Sequence, residues 1–518
     1  MAKVIRKKIL GPPGTGKTHT LIDEIKKEIN VNKIDPKKII YITFNKDLAD
    51  KGSERIERET GVKLQFAGTM HALGVKILNL DTNTRLLKGR KWGEFKKWSK
   101  RWIFQNFDEV EYENGYTQSK NEYLKILSYS RQKEISIIDA IIELGKQHNP
   151  RLEPSLIEQL ETDLETFKKD KEMFEFVDMI KHVVKPENES KLPEIDIIFL
   201  DEAQDLTPLL WKMFFYLEKR CKRSYVAGDD DQSLYDFLGA DPSIFIKLEG
   251  EKQYLKESRR VPRLVHEQAS LILKNIEERV EKNWCAKKED GAFITDVLIE
   301  EIDFSKEHWM ILGCTNDLLA NAENFLRQKG FRFKSKNYEF KDDEKAYRIW
   351  ESLKKDEFIE EKDAMFLYKN YLRVNKNHVE RGFGDYKKLR GVGEVDIYTL
   401  QTNYGLRVTG SWENLNFSDD AKDALKSFIE KGEDLSEEPR IEVCTIHKAK
   451  GRECQNVVLY MDFGTDTEGS GLIKIHSKHP DRIHRQFYVG TTRTKEKLFI
   501  LRNLTNYYYT IGEQISNE

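Results

Sequence analysis

Eight residues, Gly11-Pro12-Pro13-Gly14-Thr15-Gly16-Lys17-Thr18, have the types and spacing to hold a polyphosphate. Glycines let backbone N–H groups curl around phosphate, and a helix that starts there adds positive potential. Lys17 can reach the β and γ phosphates, and the Thr18 hydroxyl can ligate Mg²⁺. Such a loop needs an acid for the metal and a base for water, both at the end of a buried strand. IDIIFLDEAQD supplies them: Asp201 to hold Mg²⁺, directly or through water, and Glu202 to orient and deprotonate the attacking water. A third segment, GDDDQSLYDFLGAD, places Gln232 where a γ phosphate could be sensed, with Tyr235 and Phe237 on a loop for base stacking or for packing.

These residues need strands to carry them. Runs rich in β-branched and aliphatic residues occur at Val4–Leu10, Lys38–Phe44, Ile195–Leu200, Ser224–Gly228, Met310–Cys314, Ile441–Ile446, Val457–Met461 and Leu498–Leu501. Near-continuous apolar runs are the pattern of parallel strands buried on both faces. They fall into two groups, which predicts two α/β domains. Lys17 and Asp201 are 184 positions apart, so a large insertion must separate them. The stretches 76–182 and 346–437 are charged, aromatic and helical in pattern, and read as insertions. The expected division is 1–75 with 183–252, insertion 76–182, then 253–345 with 438–518, and insertion 346–437. RLLKGRKWGEFKKWSKRW (Arg85–Trp102) interleaves basic and aromatic residues. Its Phe95, Trp98 and Trp102 fall at helical spacing and are expected in the insertion's core, with the lysines free to line a nucleic-acid path.

Composition narrows the class. The 518 residues predict about three or four domains. With 87 Lys plus Arg against 89 Asp plus Glu, any polyanion site must come from local clustering. Apolar runs fall far short of the ~18 residues that span a bilayer. No apolar signal core precedes the glycine loop, and five cysteines without a CxxC indicate neither a disulfide framework nor a zinc site. A reducing cytoplasm is the expected setting.

In order, the phosphate loop, DEAQD, GDDDQS, IEVCTIHKAKGRE and FYVGTTRTKEKL resemble the motifs of the UvrD/Rep-like helicases of superfamily 1A, from residue 11 to about 500. The resemblance implies two RecA-like parallel-sheet P-loop NTPase domains, each with a mostly helical inserted subdomain. It also implies ATP and Mg²⁺ as cofactors, and 3′–5′ movement on single-stranded DNA by hydrolysis in the cleft between the domains. Junctions of single- and double-stranded DNA would be substrates, a monomer suffices, and the family serves replication and repair.

By the same resemblance Gln232, Arg260 and the arginine finger Arg493 contact the γ phosphate, and Glu453 bonds the ribose. Arg259 stands where relatives carry a base-stacking tyrosine. The family's upstream adenine-reading glutamine has no counterpart in the ten residues before Gly11. The DNA-contacting positions are Phe44, Asn45, Thr69, His71, Tyr235, Phe237, Thr445, His447 and Lys450. Leu238 replaces a DNA-binding arginine, and KLRGVGE (Lys388–Glu394) resembles a glycine hairpin used on duplex backbone. Alternatives are a translocase that displaces proteins without unwinding, a nucleotide-switched loader, and an RNA track.

Overall fold

The computed structural model describes residues 4–102, 107, 110–113, 116–119, 121–146, 149, 152–336, 338–463 and 480–513. The chain opens with β1 (Ile5–Leu10), β2 (Ile39–Thr43) and β3 (Phe66–Thr69). An insertion follows, with a small antiparallel pair, β4 (Glu111–Glu113) and β5 (Tyr116–Gln118), among helices such as Glu122–Lys133 and Pro154–Asp170. Then come β6 (Ile197–Leu200), β7 (Arg223–Gly228) and β8 (Glu251–Tyr254). The six longer-range strands form one parallel sheet in the order β3-β2-β6-β7-β1-β8. Ile198 lies opposite Ile40 on one side and Ser224 on the other.

A second parallel sheet uses β9 (Ala292–Val297), β10 (Trp309–Gly313) and β11 (Phe333–Lys334). A second insertion, with the two-residue strands β12 (Ile359–Glu360) and β13 (Glu394–Val395), interrupts it before β14 (Ile441–Thr445), β15 (Cys454–Leu459) and β16 (Thr494–Leu501). The order is β11-β14-β10-β15-β16-β9. The chain is therefore α/β, with two RecA-like parallel sheets.

Every run predicted from apolar patterning is an interior strand: β1, β2, β6 and β7 in one sheet, β10, β14, β15 and β16 in the other. The four strands of these two sheets without such a prediction, β3, β8, β9 and β11, are the sheet edges. An edge strand packs less completely, so its sequence is free of the continuous apolar signal; β8 is Glu-Lys-Gln-Tyr. Alternation along the interior strands divides their side chains between two cores. Ile198 and Leu200 join the core under the helices Met70–Leu78 and Pro208–Glu218, whereas Ile197 and Phe199 join Leu21, Ile22 and Ile25 of the helix Lys17–Asn30. Burying each of these side chains contributes roughly 1.5–3 kcal/mol.

The first insertion has its own core, including Phe95 and Trp102, as their spacing predicted, together with Trp92. Trp98 sits at its rim, donating from Nε1 to Asp170 at 3.2 Å. The second insertion is built around Trp350, Leu367, Leu389 and Leu425. Arg332 ties it down: its guanidinium is paired with Glu344 at 2.9 and 2.8 Å and donates to the carbonyls of Asp434 and Glu437. Among the described residues no helix is long and apolar enough to cross a membrane.

Candidate active site and nucleic-acid interface

The phosphate loop leaves the carboxyl end of β1, where ligands of open parallel sheets gather. Gly14 (φ 73°) and Gly16 (φ 90°) take the left-handed backbone that the turn needs. At Gly14 a side chain would also collide: a Cβ there would lie 2.5 Å from Arg260 Cβ and 2.7 Å from Ser258 Oγ. The segment Ser258–Arg260 rests on the loop, with the Arg259 N–H donating to Gly14 O at 2.9 Å and Ser258 Oγ to Pro13 O at 2.8 Å. Arg259 is exposed, and Arg260 donates to Glu453 at 2.6 Å. Lys17 Nζ donates to Gly11 O at 2.8 Å, and Thr15 Oγ1 to Pro12 O at 2.7 Å.

Asp201 follows β6 and is buried, with Oδ2 accepting from Thr18 Oγ1 at 2.6 Å. These two hard oxygen donors suit Mg²⁺, which takes few protein ligands and keeps several waters. Burial, then the charge of Glu202, push Asp201 up to about 6, against the Thr18 hydrogen bond and Lys17. Glu202 adopts φ 54°, costly for a residue with a Cβ and characteristic of functional turns. Burial would raise its pKa, but Lys17 and Lys450 prevail and hold it below the usual carboxylate range. Glu202 is thus a charged carboxylate beside the loop.

Gln204, absent from the sequence-based set, holds that carboxylate. Its Nε2 donates to Glu202 Oε2 at 2.6 Å while its Oε1 accepts from the Asp229 N–H at 2.9 Å, so one buried amide joins the two acidic motifs. Gln232 Nε2 donates to Asp229 Oδ2 at 2.6 Å, and Gln232 Oε1 accepts from Arg493 Nη2 at 2.8 Å. Arg493 comes from the second sheet, just before β16, and is buried. Burial and the like charge of Arg260 both oppose its cation, so an arriving polyphosphate would relieve it. Glu453 accepts from both Arg260 and Lys495 (2.7 Å), the ion-pair arrangement rather than a free carboxylate.

The aromatic positions converge. Phe44 stacks on Tyr235 at 4.5 Å between centroids, Tyr235 lies 6.2 Å from Phe237, and Phe237 meets His447 edge-on at 5.2 Å. Phe237 is 41% exposed, whereas Phe44 is 5% exposed and spends its ring on Tyr235. A cavity of about 250 Å³ adjoins Phe237 and Leu238, walled by Lys125, Tyr129 and Lys146 of the first insertion.

Three expected DNA contacts are placed elsewhere. Lys450 is buried, donating to Asp205 Oδ1 at 2.6 Å and to the Gln232 carbonyl, because two buried carboxylate oxygens outcompete water for its charge. Its partner Asp205 is a second residue the sequence reading missed. His71 is buried edge-on to Phe176, and burial lowers its pKa to about 4, so it is neutral and shielded. Phe44 is core, as above. Asn45 and Thr69 cap helices, accepting from Leu48 N at 2.8 Å and Ala72 N at 3.2 Å. Thr445 ends β14, partly buried, and burial, then Lys450, also hold His447 at about 4. Gly391 (φ 80°) and Gly393 (φ 82°) form an exposed turn in the second insertion.

Residues 6–253 match the UvrD/REP helicase N-terminal domain. The chain is similar to the putative ATP-dependent DNA helicase YjcD of Bacillus subtilis, 24% identical over 343 residues, 61% of this chain and 42% of that protein. It is 23% identical over 466 residues to the probable DNA helicase II homolog of Rickettsia felis, covering 82% and 65% of the two chains. Against the ATP-dependent DNA helicase PcrA of Staphylococcus aureus it is 21% identical over 294 residues, 54% and 39%. The chain thus spans less than two thirds of the length of each of these relatives. Residues 6–253 thus match a UvrD/REP helicase N-terminal domain, and the two-sheet chain that carries the match is similar to proteins named as DNA helicases.

Proposed function

We propose that this protein is an ATP-driven DNA helicase that moves 3′ to 5′ on single-stranded DNA. The observation that carries the reading is the division of hydrolytic groups between the two sheets: Lys17, Thr18, Glu202 and Gln232 on the first, Arg493 on the second, joined through the Gln232–Arg493 hydrogen bond. Transition-state charge on a transferring phosphoryl group is stabilised by groups that approach only when the domains close, so hydrolysis depends on domain position.

The phosphate loop binds the triphosphate and Lys17 neutralises its β and γ oxygens. Glu202, aimed by Gln204, takes a proton from the attacking water, while Gln232, Arg260 and Arg493 hold the γ phosphate in line. Thr18 and Asp201 would hold Mg²⁺, which supplies charge neutralisation at the phosphates. Lys450 links this chemistry to the track, since it pairs with Asp205 and lies 5.2 Å over the Tyr235 ring. A change in the cleft therefore moves the aromatic run on which bases stack.

The test is steady-state ATP hydrolysis with no nucleic acid, single-stranded DNA, duplex DNA and RNA, with Glu202→Gln as control. The proposal expects strong stimulation by single-stranded DNA that the variant abolishes, and unwinding of 3′-tailed but not 5′-tailed duplexes. DNA binding without stimulated hydrolysis would overturn the motor reading, and equal unwinding of both duplexes its polarity.

A further inference from the structure

The turn after β7 carries three consecutive carboxylates, Asp229, Asp230 and Asp231, each 0% exposed. Three adjacent buried anions are tolerated only with cations built in beside them. Lys282 Nζ lies 3.2 Å from Asp229, 2.6 Å from Asp230 and 3.0 Å from Asp231. Arg279 grips Asp231 through Nε at 2.8 Å and Nη2 at 2.7 Å, and the Val280 N–H donates to Asp230 Oδ2 at 2.7 Å. Burial opposes the Lys282 cation, yet the three carboxylates outweigh it and raise its pKa.

The anions and cations belong to different sheets. Arg279 and Lys282 follow the helix Arg263–Leu273, and their neighbours Ile272, Ile276 and Trp284 pack with Met310 and Leu312 in the second sheet's core. The backbone N–H groups of Glu277 and Glu278 are held by Asp481, at the start of the helix that leads to Arg493. The second domain therefore grips the first domain's turn at its most heavily charged point.

That turn ends in Gln232. Asp229 Oδ2 accepts from Gln232 Nε2, which leaves Oε1 for Arg493 and the second Nε2 hydrogen for a γ phosphate. A carboxamide rotated by half a turn would set donor against donor at Arg493 and acceptor against acceptor at Asp229. Asp229 thus decides which way the amide faces, and Lys282 decides where Asp229 sits.

We propose that Lys282, assisted by Arg279, is a positioning residue for nucleotide hydrolysis, holding the Asp229–Asp231 turn so that Gln232 presents its oxygen to Arg493. The inference rests on the hydrolytic reading above. Neither cation is placed against the phosphate; both act through Gln232.

DNA-stimulated hydrolysis is measured for the full chain, Lys282→Met, Lys282→Arg, Gln232→Ala and the double variant Gln232→Ala/Lys282→Met, each checked for cooperative thermal unfolding. Because Lys282→Met leaves three buried carboxylates with Arg279 as their remaining cation, Lys282→Met/Asp230→Asn, which removes one charge of each sign, is run beside it. The expected result is a kcat roughly ten- to hundredfold lower in Lys282→Met, with nucleotide KM within about threefold and most activity restored in Lys282→Arg. On top of Gln232→Ala the same substitution should cost less than about twofold, since residues acting as one unit are not additive. A full additional loss in the double variant, or unchanged kcat in a folded Lys282→Met or Lys282→Met/Asp230→Asn protein, overturns the inference alone. Absence of hydrolysis by the unmodified chain overturns the reading on which it rests, and the inference with it.

Discussion

Arg493 of the second sheet donates from Nη2 to Gln232 Oε1 of the first at 2.8 Å, across 261 positions of sequence. This is the contact through which a γ phosphate would be felt by both domains. Arg493→Ala should therefore lower kcat for ATP hydrolysis by roughly 10³-fold, the scale of arginine fingers elsewhere, while changing nucleotide affinity far less. Single-turnover kinetics beside binding of a non-hydrolysable analogue separates the two effects. An equal loss in both would mean that Arg493 binds ground state and transition state alike.

Phe44 and Phe237 should respond differently to the same truncation. Phe237→Ala removes an exposed ring and should weaken single-stranded DNA binding by about 1–3 kcal/mol with little change in stability. Phe44→Ala empties a site in the core beneath Tyr235 and should cost roughly 3–5 kcal/mol of folding stability. Fluorescence anisotropy with a short oligonucleotide and urea unfolding of both variants make the comparison.

Asp205→Asn leaves Lys450 charged, buried and half-paired. Breaking a buried pair from one side typically costs about 3–5 kcal/mol, whereas replacing both partners by apolar groups costs much less. The denaturation midpoint of Asp205→Asn should therefore fall well below that of Asp205→Leu/Lys450→Met. The reverse order would show that the pair is solvated.

Acid should destabilise the fold in a window set by histidines. His71 and His484 are 4% and 1% exposed, and burial holds each at about 4. An unfolded histidine titrates near 6.5, so between pH 6.5 and 4 the unfolded chain binds protons that the folded chain refuses. The stability in question is complete above pH 6.5 and is lost as pH falls toward 4, on the order of 3 kcal/mol per histidine at most. Carboxylates held low, such as Glu175 at about 2 by Lys168 and Arg131 against burial, act only below their ordinary range near 4.5. As pH falls from 7 to 4.5 the melting temperature of His71→Leu should gain on that of the unmodified chain, a difference that cancels the opposite contribution of Asp201, which is pushed up to about 6.

Much of this molecule is legible in one dimension because its physics is local or periodic. A phosphate loop must be contiguous, since neighbouring N–H groups and the first turn of one helix make the cradle. A central parallel strand must be apolar on both faces, so β6 announces itself as Ile-Ile-Phe-Leu and carries Asp201 and Glu202 to the right end of the sheet. The edges β3, β8, β9 and β11 face fewer neighbours, are under no such demand, and emerge only from pairing. The fate of a single charge or ring is likewise a three-dimensional matter. Lys450 and His71 sit in segments whose resemblance implied contact with nucleic acid, yet here one is neutralised by Asp205 and the other is dehydrated against Phe176. Gln204, Arg279 and Lys282 carry no pattern that marks them. Their roles arise because folding places a carboxamide or an ammonium within 3.2 Å of carboxylates that would otherwise be buried alone, and electrostatic partnership of that kind depends on distance in space rather than on spacing in the chain.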